Sequence, residues 1–95
     1  MKLVWAKAAT RDLRDLRHYS TARWGRDVAT HYIGDLRDAA KALAVDPRRA
    51  RPLGGEFSTF RVRSHFLGVT IDEAAGILTV VRVLHITMDL DRHLP

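Results

Sequence analysis

Side chains of apolar character recur every three or four residues between residues 28 and 43, and this spacing constrains the fold more than any other feature. The stripe is formed by Val28, Tyr32, Leu36, Ala39, Ala40 and Leu43. Such spacing places the side chains on one face of an α-helix. Asp46-Pro47 ends the pattern, because the residue before a proline avoids helical backbone angles. The sequence therefore predicts an amphipathic helix with one buried side.

A second helical pattern precedes this stripe and is joined to it by one or two residues. Its core-facing positions fall at helical spacing, and they are Ala9, Leu13, Leu16, Ser20 and Trp24. Thr10 is a candidate N-terminal cap, and Gly25 is a residue type that commonly ends helices. The sequence thus predicts a helix over about residues 9–24 and an antiparallel helix hairpin. We expect the hairpin to bury one set of side chains against a sheet: Leu13, Leu16, Val28, Tyr32, Leu36, Ala40 and Leu43.

Four segments outside the hairpin have the composition of β-strands. They are residues 3–6, 58–63, 65–72 and 77–86, and residues 72–76 form a hairpin turn between the last two. The last segment is nearly all apolar, so we expect it to be a central strand covered by the helices. Residues 46–56 are predicted to be a loop. The sequence predicts an α+β fold with the order β-α-α-β-β-β, an antiparallel sheet with the helix hairpin packed on one face.

Composition narrows the classes of protein that remain. The 95 residues admit one domain, residues 1–95, and no apolar run approaches the roughly 20 residues of a membrane-spanning helix. Cysteine is absent, which favours a cytoplasmic protein and excludes zinc ribbons, iron–sulfur clusters and thiol nucleophiles. The 16 Lys and Arg residues against 11 Asp and Glu residues give a net charge of +5. This charge favours an acidic partner, either nucleic acid or an acidic protein segment.

Several charged and aromatic residues have a structural interpretation. Asp12, Asp15, Asp35 and Asp38 alternate with arginines on the helices, and we expect them to form solvated surface pairs. Trp5 and Trp24 are expected to pack in the core or the hairpin. We expect His85 to be partly buried and hydrogen-bonded, and His65 to begin a strand. No metal or cofactor is expected, since His18 and His31 lack ligand partners at helical spacing, and no motif for sequence-specific DNA reading is present.

Four groups of residues occur together in the order and at the length of one protein family. They are Leu3-Val4-Trp5 with Asp12-Leu13, Tyr19 with Arg23-Trp24-Gly25, Ser64-His65 within residues 62–69, and a tail containing Arg82-Val83-Leu84-His85, Met88-Asp89 and Arg92-His93-Leu94. Together they resemble the ParE branch of the RelE/ParE superfamily, the toxin halves of bacterial type II toxin–antitoxin pairs. The tail is the most specific group, although Ile86-Thr87 stand where many relatives carry Gly and Arg.

The resemblance implies a small cytoplasmic toxin that is neutralised by a cognate antitoxin with an acidic, ParD-like C-terminal segment. It also implies a fold that agrees with the predicted order of elements. ParE-like members are described as poisons of DNA gyrase, whereas RelE-like members cut mRNA on the ribosome. A toxin that binds gyrase is therefore the leading hypothesis. An mRNA endoribonuclease and a non-toxic interaction module of the same fold are the alternatives.

The residues available for chemistry favour binding over RNA cleavage. Metal-independent cleavage needs a base, an acid and cations that hold the phosphate charge. RelE-like nucleases supply these groups from Lys and Arg on central strands and from a C-terminal Tyr, but Phe66 occupies the strand-Arg position and no Tyr follows the last strand. Arg61, Arg63 and Arg82 could line one sheet face near His85 and hold a phosphate. We therefore assign no catalytic residue, and enzymatic activity stays an open alternative.

Two sets of residues are candidates for contact with partners. The end of the last strand and the tail form the predicted target-contact set: Arg82, His85, Met88, Asp89 and Arg92. The predicted antitoxin-binding set is Leu13, Leu16, Arg17, Tyr32, Arg61 and Arg63. Arg82 lies inside an apolar strand, where an unpaired charge would be costly, so it needs a carboxylate, a carbonyl or solvent. Asp89 is the candidate carboxylate, which would make the pair a structural latch.

Overall fold

The computed structural model describes residues 1–94, without the side chain of Asp91. Its elements, in chain order, are strand β1 (Lys2–Trp5), helix α1 (Lys7–Trp24), helix α2 (Arg26–Val45), one turn of 3-10 helix (Pro47–Arg49), strands β2 (Arg51–Pro52), β3 (Phe57–Val62), β4 (His65–Asp72) and β5 (Ile77–His85), and the short helix α3 (Leu90–His93). The predicted α+β class and the β-α-α-β-β-β order are confirmed. The loop predicted at residues 46–56 contains the 3-10 turn and the two-residue strand β2.

The sheet is mixed, with the strand order β1-β5-β4-β3-β2. Strands β3 to β5 pair in antiparallel fashion, as predicted, and β2 pairs with β3 in the same way, but β1 pairs with β5 in parallel. Tight turns force antiparallel pairing between β3, β4 and β5, whereas the long connection through two helices leaves the direction of β1 free. Strand β5 lies between β1 and β4, so its prediction as a central strand is confirmed.

The buried face of the hairpin is displaced by one residue from the predicted stripe near its start. Ala29, Ile33 and Leu36 are at most 1% exposed, whereas Val28 is 51% exposed, so the predicted burial of Val28 is wrong. The observed face continues through Ala40 and Leu43. The side chain of Ala29 is a single methyl group, so the larger Val28 is the more obvious candidate for burial at the start of α2. The sequence pattern could not separate two neighbouring apolar residues in the first turn of α2.

One of the two helix-end signals predicted for α1 is confirmed and the other is wrong. Helix α1 begins at Lys7 rather than near Ala9, and its N-terminal cap is Ala6 without a side-chain hydrogen bond, so Thr10 is not the cap. Strand β1 runs directly into this helix, because the Ala6 amide still donates to the carbonyl of Val80 on β5, at 2.9 Å. Gly25 ends α1 as predicted. Its φ of +93° is accessible to glycine at little cost, and α2 starts at the next residue.

The core lies between the hairpin and one face of the sheet. Its centre is built from Leu67 and Val69 of β4 with Leu78 and Val80 of β5, all fully buried. Directly paired residues share a face, and Val83 pairs with Leu67, so Val83 also faces the hairpin. A register shift in this ladder, between Gly68/Val69 and their partners Arg82 and Val80, allows both Val80 and Val83 to face the core.

The tail packs on the opposite face of the sheet. A Cβ atom placed on Gly68 would lie 2.6 Å from the Cδ2 atom of Leu94, so glycine permits the close approach of the tail. Leu94 therefore anchors the tail to the sheet. Among residues 1–94, no helix is long and apolar enough to cross a membrane.

Candidate functional site

A groove of about 570 Å³ lies between strand β1 and the helix hairpin. Its apolar lining comes from β1 and from both helices: Leu3, Trp5, Leu13 and Ile33. Thr10 and four cationic residues complete the lining, with Arg14 and Arg17 from α1 and Arg37 and Lys41 from α2. Strand β1 ends the sheet order, so its outer backbone edge borders this groove. The groove therefore combines an apolar floor, a cationic rim and an edge strand.

The cations of the rim are weakly neutralised by neighbouring carboxylates. Arg14 pairs with Asp15 at 3.6 Å, and both side chains are more than 60% exposed, so this pair contributes little. Asp12 lies on the same helix but points to the sheet, where it is engaged by Arg82. The groove consequently presents net positive charge, which attracts carboxylates or phosphates.

Arg82 and Asp12 form a junction between β5 and α1. The Arg82 Nε and Nη2 atoms donate to the two Asp12 carboxylate oxygens at 2.8 and 3.1 Å. The backbone N–H of Val83 donates to the same carboxylate at 2.9 Å, and Arg82 Nη1 donates to the His93 carbonyl at 3.1 Å. The side chains of Arg82 and Asp12 are only 26% and 18% exposed. The hydrogen bond to Asp12 raises the pKa of Arg82 above its already high value.

The junction occupies the part of β5 that β1 does not reach. The parallel ladder ends with the pairing of Trp5 and Val80, so the Val83 amide lies beyond it. The Asp12 carboxylate accepts this amide in place of a strand. The predicted latch between Arg82 and Asp89 is therefore wrong, as is the prediction that Asp12 forms a solvated pair with a neighbouring arginine. Helical spacing could have indicated this contact, because Asp12 follows the buried Ala9 by three residues and therefore lies beside the buried face of α1.

We predict that the junction stabilises the fold strongly. Asp12→Ala should lower the free energy of unfolding by about 2–4 kcal/mol, because it leaves a partly buried guanidinium and the Val83 amide without their acceptor. Arg82→Ala should cost a similar amount, and the double variant should show a coupling of about 1–3 kcal/mol. Urea unfolding of the single and double variants measures these values.

Asp15→Ala is the matched control for this cycle. It removes a carboxylate from the same helix whose ion pair is exposed, so its effect should stay within about 1 kcal/mol. Additive effects of Asp12→Ala and Arg82→Ala, each no larger than that of the control, would contradict the structural role of the junction.

A cluster of Tyr32, His65 and His85 lies where β4 begins and β5 ends. The Ser64 amide donates to the Tyr32 hydroxyl at 3.2 Å, and this hydroxyl lies 2.7 Å from His65 Nδ1. Burial, and secondarily the nearby His85, lowers the pKa of His65 to about 4. The ring is therefore neutral at pH 7, and its Nδ1 shares a hydrogen bond with the Tyr32 hydroxyl. The two imidazole rings meet edge to face, with centroids 5.2 Å apart.

The second histidine of the cluster is also engaged. The Thr87 amide donates to His85 Nδ1 at 3.2 Å, and the Thr87 hydroxyl lies 2.8 Å from the same atom. His85 is partly buried, so its expected status as a hydrogen-bonded, partly buried residue is confirmed. His65 begins strand β4, as expected, but its contact with Tyr32 was not foreseen. Each Nδ1 atom thus has a partner within the protein, which favours a structural role for both rings.

The three arginines that were expected to line one sheet face do not form one cationic surface. Arg61 donates to the Arg63 carbonyl at 2.8 Å and pairs with Phe66 in register, on the face away from the hairpin. Arg63 lies in the turn after β3, with its guanidinium 2.8 Å from Asp35 and 5.7 Å from the centre of the Tyr32 ring. Arg82 pairs with Gly68 and so lies on the same face as Arg61, but its guanidinium is held by Asp12 in the junction with α1. The expectation of a shared cationic face near His85 is therefore wrong.

We predict a pH-dependent stability that originates at His65. Since the folded pKa of about 4 lies below the ordinary value of 6.5, the unfolded chain binds more protons between these two values. Stability should therefore fall as the pH falls from about 6.5 towards 4. His65→Gln should reduce this fall, as measured by the Tm at pH 7.0, 5.5 and 4.5. His18→Gln, which removes an exposed histidine from α1, is the control. Equal pH dependence in His65→Gln and wild type would contradict the assignment.

The structure brings together only part of each set of contact candidates. In the target-contact set, Met88, Asp89 and Arg92 are exposed, His85 is partly buried and Arg82 is held in the junction. In the antitoxin-binding set, Leu13 and Arg17 line the groove, and Leu16 packs against the core. The remaining three lie outside the groove: Tyr32 on α2, Arg61 on β3 and Arg63 in the turn after β3. Sequence reasoning missed Leu3, Trp5, Arg14, Ile33, Arg37 and Lys41 as groove residues.

The fold consists of a helix hairpin on a mixed sheet, followed by a short C-terminal helix. Solved structures from toxin–antitoxin systems share this fold. A solved structure of the chromosomal ParDE system from P. aeruginosa matches with a TM-score of 0.81 at 16% identity, over 90% of this chain and 96% of that chain. The toxin–antitoxin complex RelBE2 from Mycobacterium tuberculosis matches with a TM-score of 0.70 at 20% identity, over 88% of this chain and 95% of that chain.

Sequence comparison identifies the family. Residues 3–90 match the family model described as the ParE toxin of the type II toxin–antitoxin system parDE. Toxin ParE1 of Mycobacterium tuberculosis is 33% identical over 96 residues, which cover 98% of this chain and 97% of the relative. The chain therefore belongs to the ParE family of type II toxin–antitoxin toxins, and the resemblance found in the sequence is confirmed.

Proposed function

We propose that this ParE-family toxin is neutralised by a cognate antitoxin whose acidic, amphipathic segment occupies the groove beside β1. The observation that carries this proposal is the combination of apolar floor, cationic rim and edge strand in one place. Structures of toxins from ParDE and RelBE systems share the fold, which supports an antitoxin as the partner. Acidic segments of this kind are typically disordered before they bind, so they can follow a long groove.

The spacing of the rim residues suggests how such a segment is recognised. Arg14 and Arg17 lie about one turn apart on α1, and Arg37 and Lys41 lie about one turn apart on α2. A helix laid between them would direct its apolar face to Leu13 and place carboxylates on both flanks. An extended continuation of the segment could pair with the free edge of β1. In this arrangement the apolar contacts hold the segment, and the cations accelerate and orient its docking.

We predict that charge reversal on the rim weakens the toxin–antitoxin complex. Arg37→Glu should raise the Kd for the cognate antitoxin at least tenfold at low salt, an effect of about 1.4 kcal/mol or more. The loss should shrink as salt increases, because exposed charges are screened. Titration calorimetry at two salt concentrations measures both effects.

Arg48→Glu is the matched control, since it changes the net charge equally at a side chain that is 91% exposed and outside the groove. Equal weakening by Arg37→Glu and Arg48→Glu would show that overall charge, rather than the groove, governs the affinity. That result would count against the proposed docking position.

We further propose that the toxin acts by binding DNA gyrase rather than by cutting RNA. Membership of the ParE family supports this target, as the sequence resemblance implied. The arrangement of the described side chains supports binding as well. Both histidine Nδ1 atoms have internal partners, and two of the three arginines that could hold a phosphate, Arg63 and Arg82, are engaged by the carboxylates of Asp35 and Asp12.

We predict that induction of the toxin without antitoxin causes DNA damage signalling while cellular mRNA stays intact. Purified toxin should increase the amount of cleaved DNA trapped by purified gyrase, and added antitoxin should abolish the increase. Rapid loss of translated mRNA without any change in gyrase activity would refute the gyrase target and favour the ribonuclease alternative. Normal growth without either effect would favour a non-toxic interaction module.

A further inference from the structure

The tip of the helix hairpin carries an exposed apolar patch that the proposed function leaves unexplained. Tyr19, Trp24 and Val28 are 57%, 55% and 51% exposed. The first two belong to α1 and the third to the first turn of α2, across Gly25. The expectation that Trp24 packs within the hairpin or core is therefore wrong. Tyr19 and Trp24 also belong to one of the groups that carry the family resemblance, Tyr19 with Arg23-Trp24-Gly25.

The patch is pre-organised. The Tyr19 and Trp24 rings meet edge to face at 80°, with centroids 5.8 Å apart. The guanidinium of Arg23 lies 5.7 Å from the centre of the Trp24 ring. Gly25 joins the helices as a single linking residue, so the backbone between Trp24 and Val28 has little freedom. Aromatic side chains held in this way lose little conformational entropy when a partner covers them.

We propose that this hairpin tip, defined as Tyr19, Trp24 and Val28 with the flanking Arg23 and Arg26, docks into an apolar pocket with an acidic rim on the protein that the toxin attacks. This inference rests on the proposed function, because it assumes that the toxin works by binding a protein. Residues 23–28 contain two arginines and one carboxylate, Asp27, so the charge of the tip complements an acidic rim. Trp, Tyr and Arg are also the residue types that contribute most to protein–protein binding.

A protein pocket fits the tip better than a nucleic acid does. A stacked base contacts one face of a single ring, whereas the exposed tip also presents the Tyr19 ring, edge to face with Trp24, and the Arg23 guanidinium 5.7 Å from the Trp24 ring centre. A base on Trp24 would leave these neighbours uncovered, whereas a pocket can accept the assembled group. The tip also shares no residue with the groove beside β1, so binding of target and antitoxin can be altered independently.

The test compares toxicity and antitoxin affinity in the same full-length variants. Trp24→Ala and Tyr19→Ala should require at least tenfold more toxin to arrest growth, while the Kd for the cognate antitoxin stays within twofold of wild type. Val45→Ala, which truncates an 86% exposed side chain at the other end of α2, should leave both unchanged. Arg26→Glu should also reduce toxicity, whereas Arg48→Glu should not. Circular dichroism verifies that each variant is folded.

Distinct outcomes would overturn the inference. Full toxicity in a folded Tyr19→Ala/Trp24→Ala double variant would remove the tip as a target surface. Loss of antitoxin affinity, loss of binding to a DNA oligonucleotide, or conversion of a dimer to a monomer, each with toxicity unchanged, would assign the tip to another occupant. A wild-type chain that does not arrest growth would instead refute the proposed function, and the protein target of the tip with it.

Discussion

The carboxylate of Asp12 holds helix α1 to the open end of strand β5, and the position of every functional surface depends on this attachment. It accepts hydrogen bonds from the Arg82 guanidinium and from the Val83 amide, which β1 is too short to cover. Arg82 in turn donates to the His93 carbonyl of the tail. One junction therefore fixes a helix against one edge of the sheet and ties the C-terminal segment to the same strand. Loss of either partner would leave a partly buried charge without compensation.

Helix α1 distributes its side chains among four tasks, and its periodicity explains how this is possible. Ala9 and Leu13 point into the core, Asp12 reaches β5, Arg14 and Arg17 border the groove, and the last turn carries the exposed Trp24. Because successive residues rotate by about 100°, neighbouring positions can serve different surfaces. The groove and the hairpin tip are thus built on one rigid element. This separation would allow an antitoxin and a target to select different residues on the same helix.

The cluster of Tyr32, His65 and His85 shows why residue types alone are a weak guide to chemistry. Two adjacent histidines and a tyrosine could suggest an acid–base centre. Burial, however, lowers the pKa of His65 to about 4, and internal hydrogen-bond partners engage the Nδ1 atoms of both rings. The cluster consequently joins α2 to the ends of β4 and β5. The Thr87 and Met88 amides donate to His85, so the cluster also supports the start of the tail.

Local periodicity in the sequence determined the helices, the three long strands, the turn at Gly25 and the central place of β5, because each depends on residues close in the chain. The family-specific groups likewise sufficed for the ParE assignment. Only the tertiary structure decided the partner of Arg82, since Asp12 lies 70 residues away and competes with Asp89 on equal chemical terms. The tertiary structure also chose Ala29 over Val28 for the core, made β1 parallel to β5 and gathered the groove from β1, α1 and α2. These features arise from packing between segments distant in sequence, where neither spacing nor residue type specifies which surfaces meet.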